Sequence, residues 1–209
     1  MIAWAVEADT SDVAISLVFK THSWSEENDR GVASGWHHSR LSARGRTLAH
    51  ELGERRRHDD LAVVFVSDLR RAVETADIAM SGSGLTVVHD WRLRECNYGE
   101  LNGQPAQTVL QNRRRYQDVP YPNGESWRQA VNRVGRFLKD LRVGWSDQRV
   151  LVIGHVATRW AFDHLIDGVP LEDLIAQDFR WREGWVYHLS GGEQATTEAS
   201  RCGQTGRTR

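Results

Sequence analysis

The chain has 209 residues, of which 40% are hydrophobic and 26% charged, with a formal net charge of −1. This length and balance fit one globular domain, which buries roughly 70% of the surface that its unfolded chain exposes. The near-neutral charge does not indicate a nucleic-acid partner, and no apolar run approaches the roughly 20 residues of a membrane-spanning helix. We interpret the basic runs 55–57 and 113–115 as solvated helix ends.

The hydrophobic pattern alternates short apolar runs with segments of helical periodicity. In chain order it predicts a strand at 13–19, a long polar loop at 20–40, a helix at 41–57 with Ser42 as its N-cap, a strand at 61–66, a helix at 68–80, a strand at 85–89, a helix at 106–116, a helix at 126–142, a strand at 149–153, a helix at 155–166, a short helix at 171–178 and a last strand at 184–189. Such alternation predicts an α/β fold, a three-layer α/β/α sandwich around a mostly parallel sheet.

The ends of the chain differ in composition from its middle. We expect an N-terminal extension at 1–12, a domain at 13–189, and a disordered tail at 190–209, because this polar tail has no apolar anchors. Residues 1–12 lack the features of a secretory signal. Cys96 and Cys202 lie in dissimilar surroundings, so a structural disulfide is not expected and a reducing compartment is favoured. We therefore predict a cytoplasmic protein.

Chemically versatile side chains follow four of the predicted strands. His22 follows the first strand, Arg71 the second, Glu95 the third and His155 the fourth. Ligands of open parallel sheets bind beyond the carboxyl ends of the strands, so these residues are expected to converge at one edge. Two imidazoles, a guanidinium and a carboxyl group there would form an anion site with acid–base capacity.

Each of these residues also has a structural interpretation. A histidine that follows a strand is more often a surface or capping residue. Arg71 could pair with Glu74 or Asp77 on its own helix, and Glu95 could be a solvated loop acid. Their joint placement at one edge is what favours a functional interpretation.

The same residues fall within a longer series of motifs. In chain order these are His22 with Asn28 six residues later; Ser67, Leu69, Arg71, Ala72, Thr75 and Ala76 after the second strand; Arg92, Leu93, Glu95, Tyr98 and Gly99; the run Pro122-Asn123-Gly124-Glu125-Ser126; and the late strand Val150 to His155. Over residues 13–189 this series resembles the histidine phosphatase superfamily, the phosphoglycerate mutase-like proteins. The resemblance implies a phosphoglycerate mutase-like fold.

The resemblance also implies a role for each matching residue. His22 would be the phospho-accepting nucleophile and Glu95 the proton donor to the leaving group. Arg71 and His155 would bind the transferring phosphoryl group, with Asn28 near the same oxygens. The family needs no metal or other cofactor.

One departure from the family pattern lies beside the predicted nucleophile. The family has Arg-His-Gly where this chain has Thr21, His22 and Ser23. Loss of a bidentate guanidinium from a phosphate pocket costs a few kcal/mol, on the scale of about 3 kcal/mol for one oxyanion donor. We name Lys20 and Arg159 as candidate phosphate-binding replacements, although a lysine supplies a point charge rather than a fork.

The resemblance implies a metal-independent phosphatase that hydrolyses a small phosphate ester through a phosphohistidine at His22. Two alternatives stay open: a phosphoglycerate mutase-type phosphotransferase, and a non-catalytic binder of phosphate ligands, which Thr21 favours. The chain lacks room for the additional segments of the larger mutases, which favours hydrolysis. A homodimer is left open.

Two further groups of residues have more than one interpretation. The adjacent histidines His37 and His38 are interpreted as loop surface rather than metal ligands. Four aromatic residues in the predicted loops either line the site or pack in the core: Trp24, Trp36, Tyr121 and Trp127.

Overall fold

A computed structural model describes residues 14–190 of the chain. The strands are β1 (Ala14–Thr21), β2 (Val63–Val66), β3 (Val87–His89), β4 (Arg149–Gly154) and β5 (Trp185–Ser190). The α-helices are α1 (Glu26–Asp29), α2 (Ala43–Arg56), α3 (Arg70–Ala79), α4 (Ala106–Asn112), α5 (Trp127–Gly144), α6 (Val156–Leu165) and α7 (Leu171–Ala176). Short 3₁₀ helices span Trp91–Leu93, Gly99–Leu101 and Arg113–Tyr116.

The strands form one sheet in the order β3-β2-β4-β1-β5. Neighbouring strands are parallel except for β5, which pairs antiparallel with β1. Because side chains alternate between the faces of a strand, Val18, Val64 and Leu151 pack with residues of α2 and α3 on one face. Leu17 and Val152 pack on the other face, with residues of α5 and α6. The prediction of a mostly parallel α/β sandwich is confirmed.

Local sequence signals account for the start of two long helices. The Ser42 hydroxyl accepts a hydrogen bond from the Gly45 N–H at 3.2 Å, as predicted for the N-cap of α2. At the start of α5, Ser126 and Gln129 form a capping box in which each side chain accepts from the other's backbone N–H. Both serines satisfy N–H groups that a helix end leaves without a partner.

The observed elements differ from the predicted ones in a few places. Strand β1 extends to Thr21, two residues beyond the predicted end, because Lys20 and Thr21 pair in register with Ile153 and Gly154 of β4. The predicted loop at 20–40 contains the one-turn helix α1. The helix predicted at 106–116 divides into α4 and a 3₁₀ helix.

The prediction that the basic run 113–115 is solvated is wrong for Arg113. This side chain is buried, donates a hydrogen bond to the Gln177 carbonyl at 3.0 Å, and lies 5.3 Å from the Trp160 ring. Arg114 and Arg115 are exposed. Residues of the α7 region cover Arg113 but neither of the other two arginines. The residues next to Arg113 in the sequence do not indicate that it is buried.

No helix within residues 14–190 is both long and apolar enough to cross a membrane. The predicted extension at 1–12 lies outside the described residues, as does the predicted tail except for Ser190, the last residue of β5. Cys202 also lies outside them, whereas Cys96 is buried and forms no disulfide within the described part of the chain.

Candidate active site

The carboxyl edge of the sheet brings the two candidate histidines together. The pairing of β1 with β4 ends at Thr21 and Gly154, and the His22 N–H donates to the Gly154 carbonyl at 2.9 Å. His155 is the next residue along, the N-cap of α6. The two imidazole rings therefore lie with their centroids 5.0 Å apart.

His22 is held in one tautomer by the backbone carbonyl of the next residue, Ser23. Its Nδ1 lies 2.7 Å from the Ser23 carbonyl, which can only accept a hydrogen bond, so Nδ1 carries the proton. The unprotonated Nε2 then accepts from Arg71 Nε at 3.2 Å. Burial, reinforced by the Arg71 charge, lowers the pKa of His22 to about 3. The imidazole is therefore neutral at physiological pH and has a lone pair on Nε2, the form a nucleophile requires.

Arg71 connects the two imidazoles. Its side chain is buried near the start of α3, where Nε donates to His22 and Nη2 lies 3.3 Å from His155 Nδ1. Nη2 also donates to the Gly35 carbonyl at 2.9 Å. The pairing with Glu74 is not formed, because Glu74 accepts from Arg70 at 2.9 Å instead.

His155 is buried and has a partner at each ring nitrogen. A guanidinium only donates, so Nδ1 accepts from Arg71, and Nε2 carries the proton that it donates to Ser67 Oγ at 2.9 Å. Burial and the Arg71 charge hold the pKa of His155 well below its usual value. Ser67 thus orients His155, while the nitrogen beside Arg71 faces the centre of the site.

Glu95 is buried at the N-terminus of α6, not solvated. Its Oε1 accepts from the N–H groups of Cys96 at 2.8 Å and Ala157 at 3.1 Å, and its Oε2 from that of Val156 at 3.3 Å. Burial raises the pKa of Glu95, and these N–H donors with the Arg71 charge offset part of the effect. A carboxyl group that stays protonated at higher pH than usual is suited to proton donation.

A buried ion pair holds the segment that carries Glu95. Arg133 of α5 donates to the carbonyls of Arg92 at 2.6 Å and Glu95 at 3.2 Å, and to Glu125 Oε2 at 2.7 Å. Glu125 in turn accepts from the Asn97 N–H at 2.9 Å. Sequence reasoning noted the motif that contains Glu125 but missed Arg133. A charged residue at a core-facing position of an amphipathic helix was the available signal.

Replacement of Arg133 by glutamine is expected to lower stability and to misplace Glu95. Removing one partner of a buried ion pair costs about 3–5 kcal/mol, because the other charge stays buried. Misplacement of a reacting group by about 1 Å costs up to about 10²-fold in rate. Urea unfolding measures the first effect, and kcat/KM for alkyl and p-nitrophenyl phosphates, which reports the first step alone, measures the second.

The alkyl ester should lose more activity than the p-nitrophenyl ester, since its leaving group needs a proton. Arg136→Gln, an exposed position on the same helix, serves as the control. An equal loss for both esters would contradict a positioning role for Arg133 and leave a purely structural one.

Asn28 lies beside His22, but its side-chain oxygen already accepts hydrogen bonds from Ser25. Its Oδ1 accepts from the backbone N–H and the hydroxyl of Ser25, both at 2.9 Å, which caps α1. The Asn28 side chain also lines a cavity next to His22. The structure thus places this predicted residue at the rim of the site.

The structure does not bring Lys20 or Arg159 to the histidines. Lys20 is buried; its Nζ donates to the Arg182 carbonyl at 3.0 Å and lies 3.8 Å from the centre of the Trp181 ring. Burial lowers the pKa of Lys20 to about 7. Arg159 forms an ion pair with Asp163. Within residues 14–190, neither cation hydrogen-bonds to His22, Arg71 or His155.

Two hydroxyl groups flank His22 in place of the arginine and glycine of the family pattern. Thr21 Oγ1 and Ser23 Oγ are both buried and have no hydrogen-bond partner among the described residues. The Ser23 backbone N–H donates to Thr75 Oγ1 at 2.9 Å. Buried hydroxyls without partners are uncommon, so these two mark a local departure from ordinary polar pairing.

A cavity of about 520 Å³ opens beside His22. Its lining residues are Thr21, His22, Trp24, Asn28, Arg44, Leu48, Val156, Phe179 and Trp181. Sequence reasoning missed Arg44, although its place in the first turn of the helix after the long polar loop was a usable signal.

Two of the four candidate aromatic residues lie at the site, and the other two pack in the core. Trp24 lines the cavity, and Trp36 Nε1 donates to the Glu95 carbonyl at 2.7 Å. Tyr121 and Trp127 are core residues. His37 and His38 are exposed, and no group of three or more His, Cys, Asp or Glu side chains in residues 14–190 is arranged to hold a metal ion.

A guanidinium between two imidazoles matches the charge and geometry of a transferring phosphoryl group. This site lies at the carboxyl edge of a mostly parallel sheet. The fold and the site together are those of an α/β phosphoryl-transfer protein. The profile of the histidine phosphatase superfamily (branch 1) matches residues 17–200. The chain belongs to this superfamily, and the resemblance inferred from its motifs is confirmed.

Similar proteins include phosphatases and mutases. The chain is 30% identical to a protein of Hydrogenobacter thermophilus named "Putative phosphoserine phosphatase 2", over 76% of this chain and 81% of that protein. It is 26% identical to the 2,3-bisphosphoglycerate-dependent phosphoglycerate mutase of Neisseria meningitidis serogroup C, over 84% and 95%. The structure of a mycobacterial glucosyl-3-phosphoglycerate phosphatase superposes with a TM-score of 0.68 at 26% identity, over 78% of this chain and 84% of that chain.

Proposed function

We propose that this protein is a metal-independent phosphatase that hydrolyses a small phosphate ester through a phosphohistidine at His22. The observation that carries the proposal is the hydrogen bond between His22 Nδ1 and the Ser23 carbonyl at 2.7 Å. It leaves the lone pair on Nε2, where it accepts from Arg71 Nε at 3.2 Å until a phosphoryl group takes that donor. An activated imidazole next to a fixed cation is the arrangement that attack on a phosphate ester requires.

The reaction has two balanced steps. His22 Nε2 attacks phosphorus while the bond to the alcohol oxygen breaks, and the Glu95 carboxylic acid protonates the departing oxygen. Water then attacks the phosphohistidine, the Glu95 carboxylate takes its proton, and the phosphate that leaves restores Nε2. One carboxyl group serves as acid and then as base, in keeping with its raised pKa.

Four side chains stabilise the charge of the transferring group. Arg71 donates to its oxygens, and His155 does so after its Nδ1, the acceptor from Arg71 in the free protein, takes the proton of a phosphate monoester monoanion. The buried hydroxyls of Thr21 and Ser23, which have no partner among the described residues, turn toward these oxygens in place of the missing guanidinium. Neutral hydroxyl donors are weaker than charged ones, so we expect a less efficient enzyme than one with the family's arginine.

Hydrolysis is favoured over phosphotransfer by the cavity beside His22. Arg44 is the single charged side chain that residues 14–190 contribute to its lining, whereas a site that exchanges phosphoryl groups with a bisphosphorylated compound needs several cations. Catalysis is favoured over simple binding by the unprotonated Nε2 of His22 and by the raised pKa of the buried Glu95 carboxyl.

Trapping of the intermediate tests the proposal. Wild-type protein mixed with ³²P-labelled p-nitrophenyl phosphate in the presence of a chelator, and quenched in base, should carry acid-labile label on the peptide that contains His22. His37→Ala, which removes an exposed imidazole, should label equally. Turnover with no label at His22 would overturn the mechanism, and phosphate binding without turnover would establish the binder instead.

A further inference from the structure

The cavity beside His22 has mostly apolar walls. Trp24, Leu48, Val156, Phe179 and Trp181 supply them, and its volume of about 520 Å³ is within the range of small-molecule sites. Trp181 is 46% exposed, so part of this aromatic wall is accessible to a ligand. An exposed aromatic wall beside a reactive group indicates a ligand part that is itself apolar.

Contacts outside the cavity hold these walls in place. The Trp24 indole N–H donates to Asp29 Oδ1 at 2.6 Å, and the buried Lys20 ammonium packs against the Trp181 ring, 3.8 Å from its centre. Phe179 packs against Trp185, with ring centroids 6.0 Å apart. The walls are therefore formed before any ligand arrives, which reduces the entropic cost of binding.

Thr21 contributes a short side chain to the cavity lining. Because an arginine side chain is longer and charged, the departure from the family pattern makes this part of the lining smaller and less polar. Arg44 is the one charged group that residues 14–190 contribute to the lining, and its guanidinium lies over the Trp24 ring, 5.0 Å from the ring centre.

We infer that this cavity binds the alcohol part of the substrate, and that the substrate class is phosphate monoesters of apolar, aromatic-sized alcohols. The inference rests on the proposed function for its reaction, since the phosphoryl group must sit at His22 for the alcohol to occupy the cavity. Sugar phosphates and polyphosphorylated compounds would place hydroxyl groups or charges against Trp24, Phe179 and Trp181 and leave them without partners.

The experiment compares ligands that differ only in the apolar group. 3-Phenylpropylphosphonate and propylphosphonate cannot be hydrolysed, and their Kd values are measured by calorimetry. The phenyl compound should bind at least about 10-fold more tightly. The corresponding phosphate esters have equally reactive leaving groups, and kcat/KM should differ by a similar factor.

Trp181→Ala should reduce this preference to within about threefold, since a ring of roughly 150–250 Å² is removed from the wall. Thr21→Arg should reduce it too, because the guanidinium fills the cavity. Trp91→Ala, at a position 49% exposed and outside the lining, should keep the preference of the wild type.

The outcomes separate the inference from the proposed function. Equal Kd values for the two phosphonates, or an unchanged preference in Trp181→Ala, would overturn the inference even if a phosphohistidine forms. A preference for the phenyl phosphonate without turnover of either ester would refute the phosphatase and retain the apolar subsite.

Discussion

Replacement of His22 by alanine is expected to lower kcat by at least about 10⁴-fold, because the phosphoryl group then has no acceptor. Affinity for propylphosphonate should fall far less, because Arg71 and His155 stay in place. The measurement is steady-state hydrolysis of p-nitrophenyl phosphate with a calorimetric Kd for the phosphonate. His37→Ala, at an exposed position, is the control and should retain wild-type kcat.

Chemical rescue distinguishes a lost nucleophile from a disturbed fold. Free imidazole added to His22→Ala should restore part of the turnover, since the deleted ring borders an open cavity. A variant that keeps kcat within about 10-fold of the wild type would exclude covalent catalysis at this residue.

Replacement of Glu95 by glutamine should lower kcat for alkyl phosphates by about 10²–10⁴-fold, the usual contribution of a general acid. The p-nitrophenyl ester should lose less in its first step, because its leaving group departs without a proton. The side chain is buried and accepts three backbone hydrogen bonds, so the amide retains most of the local packing. Glu100→Gln, on an exposed glutamate nearby, is the matched control.

The pH profile gives a second readout for Glu95. A general acid acts in its protonated form, so activity is present below its pKa and is lost as the pH rises through it. Burial raises the pKa of Glu95, so the wild-type decline in kcat/KM, which reports the first step alone, should fall at higher pH than an ordinary glutamate would give. Glu95→Gln should abolish this decline for alkyl esters. A profile of unchanged shape would assign the proton donor to another group.

The principal site could be located from the sequence because strand ends are local features. Apolar runs mark where β1, β2 and β4 stop, and all parallel strands end at the same edge of the sheet. His22, Arg71 and His155 therefore had to meet, whatever the details of packing. The position of Glu95 follows less directly from the strand ends, because a 3₁₀ helix and a loop separate this residue from the end of β3.

The candidate replacements for the missing arginine show the limit of such reasoning. Lys20 and Arg159 have the right charge and a suitable periodicity, yet their side chains turn toward other partners. Lys20 finds the Arg182 carbonyl, 162 residues away in the chain, and Arg159 finds Asp163. Periodicity gives the face of a strand or helix, but competing partners decide the direction of a long cationic side chain.

By itself, the sequence determined the strand–helix alternation, the cap at Ser42, and the edge where His22 and His155 meet. These follow from hydrophobic periodicity and from hydrogen bonds between residues a few positions apart. Only the tertiary structure decided that Arg133 holds the segment that carries Glu95. It also decided that aromatic residues distant in the sequence line one cavity beside His22. The physical reason is that burial, pKa and cavity shape depend on atoms that folding brings together from distant parts of the chain.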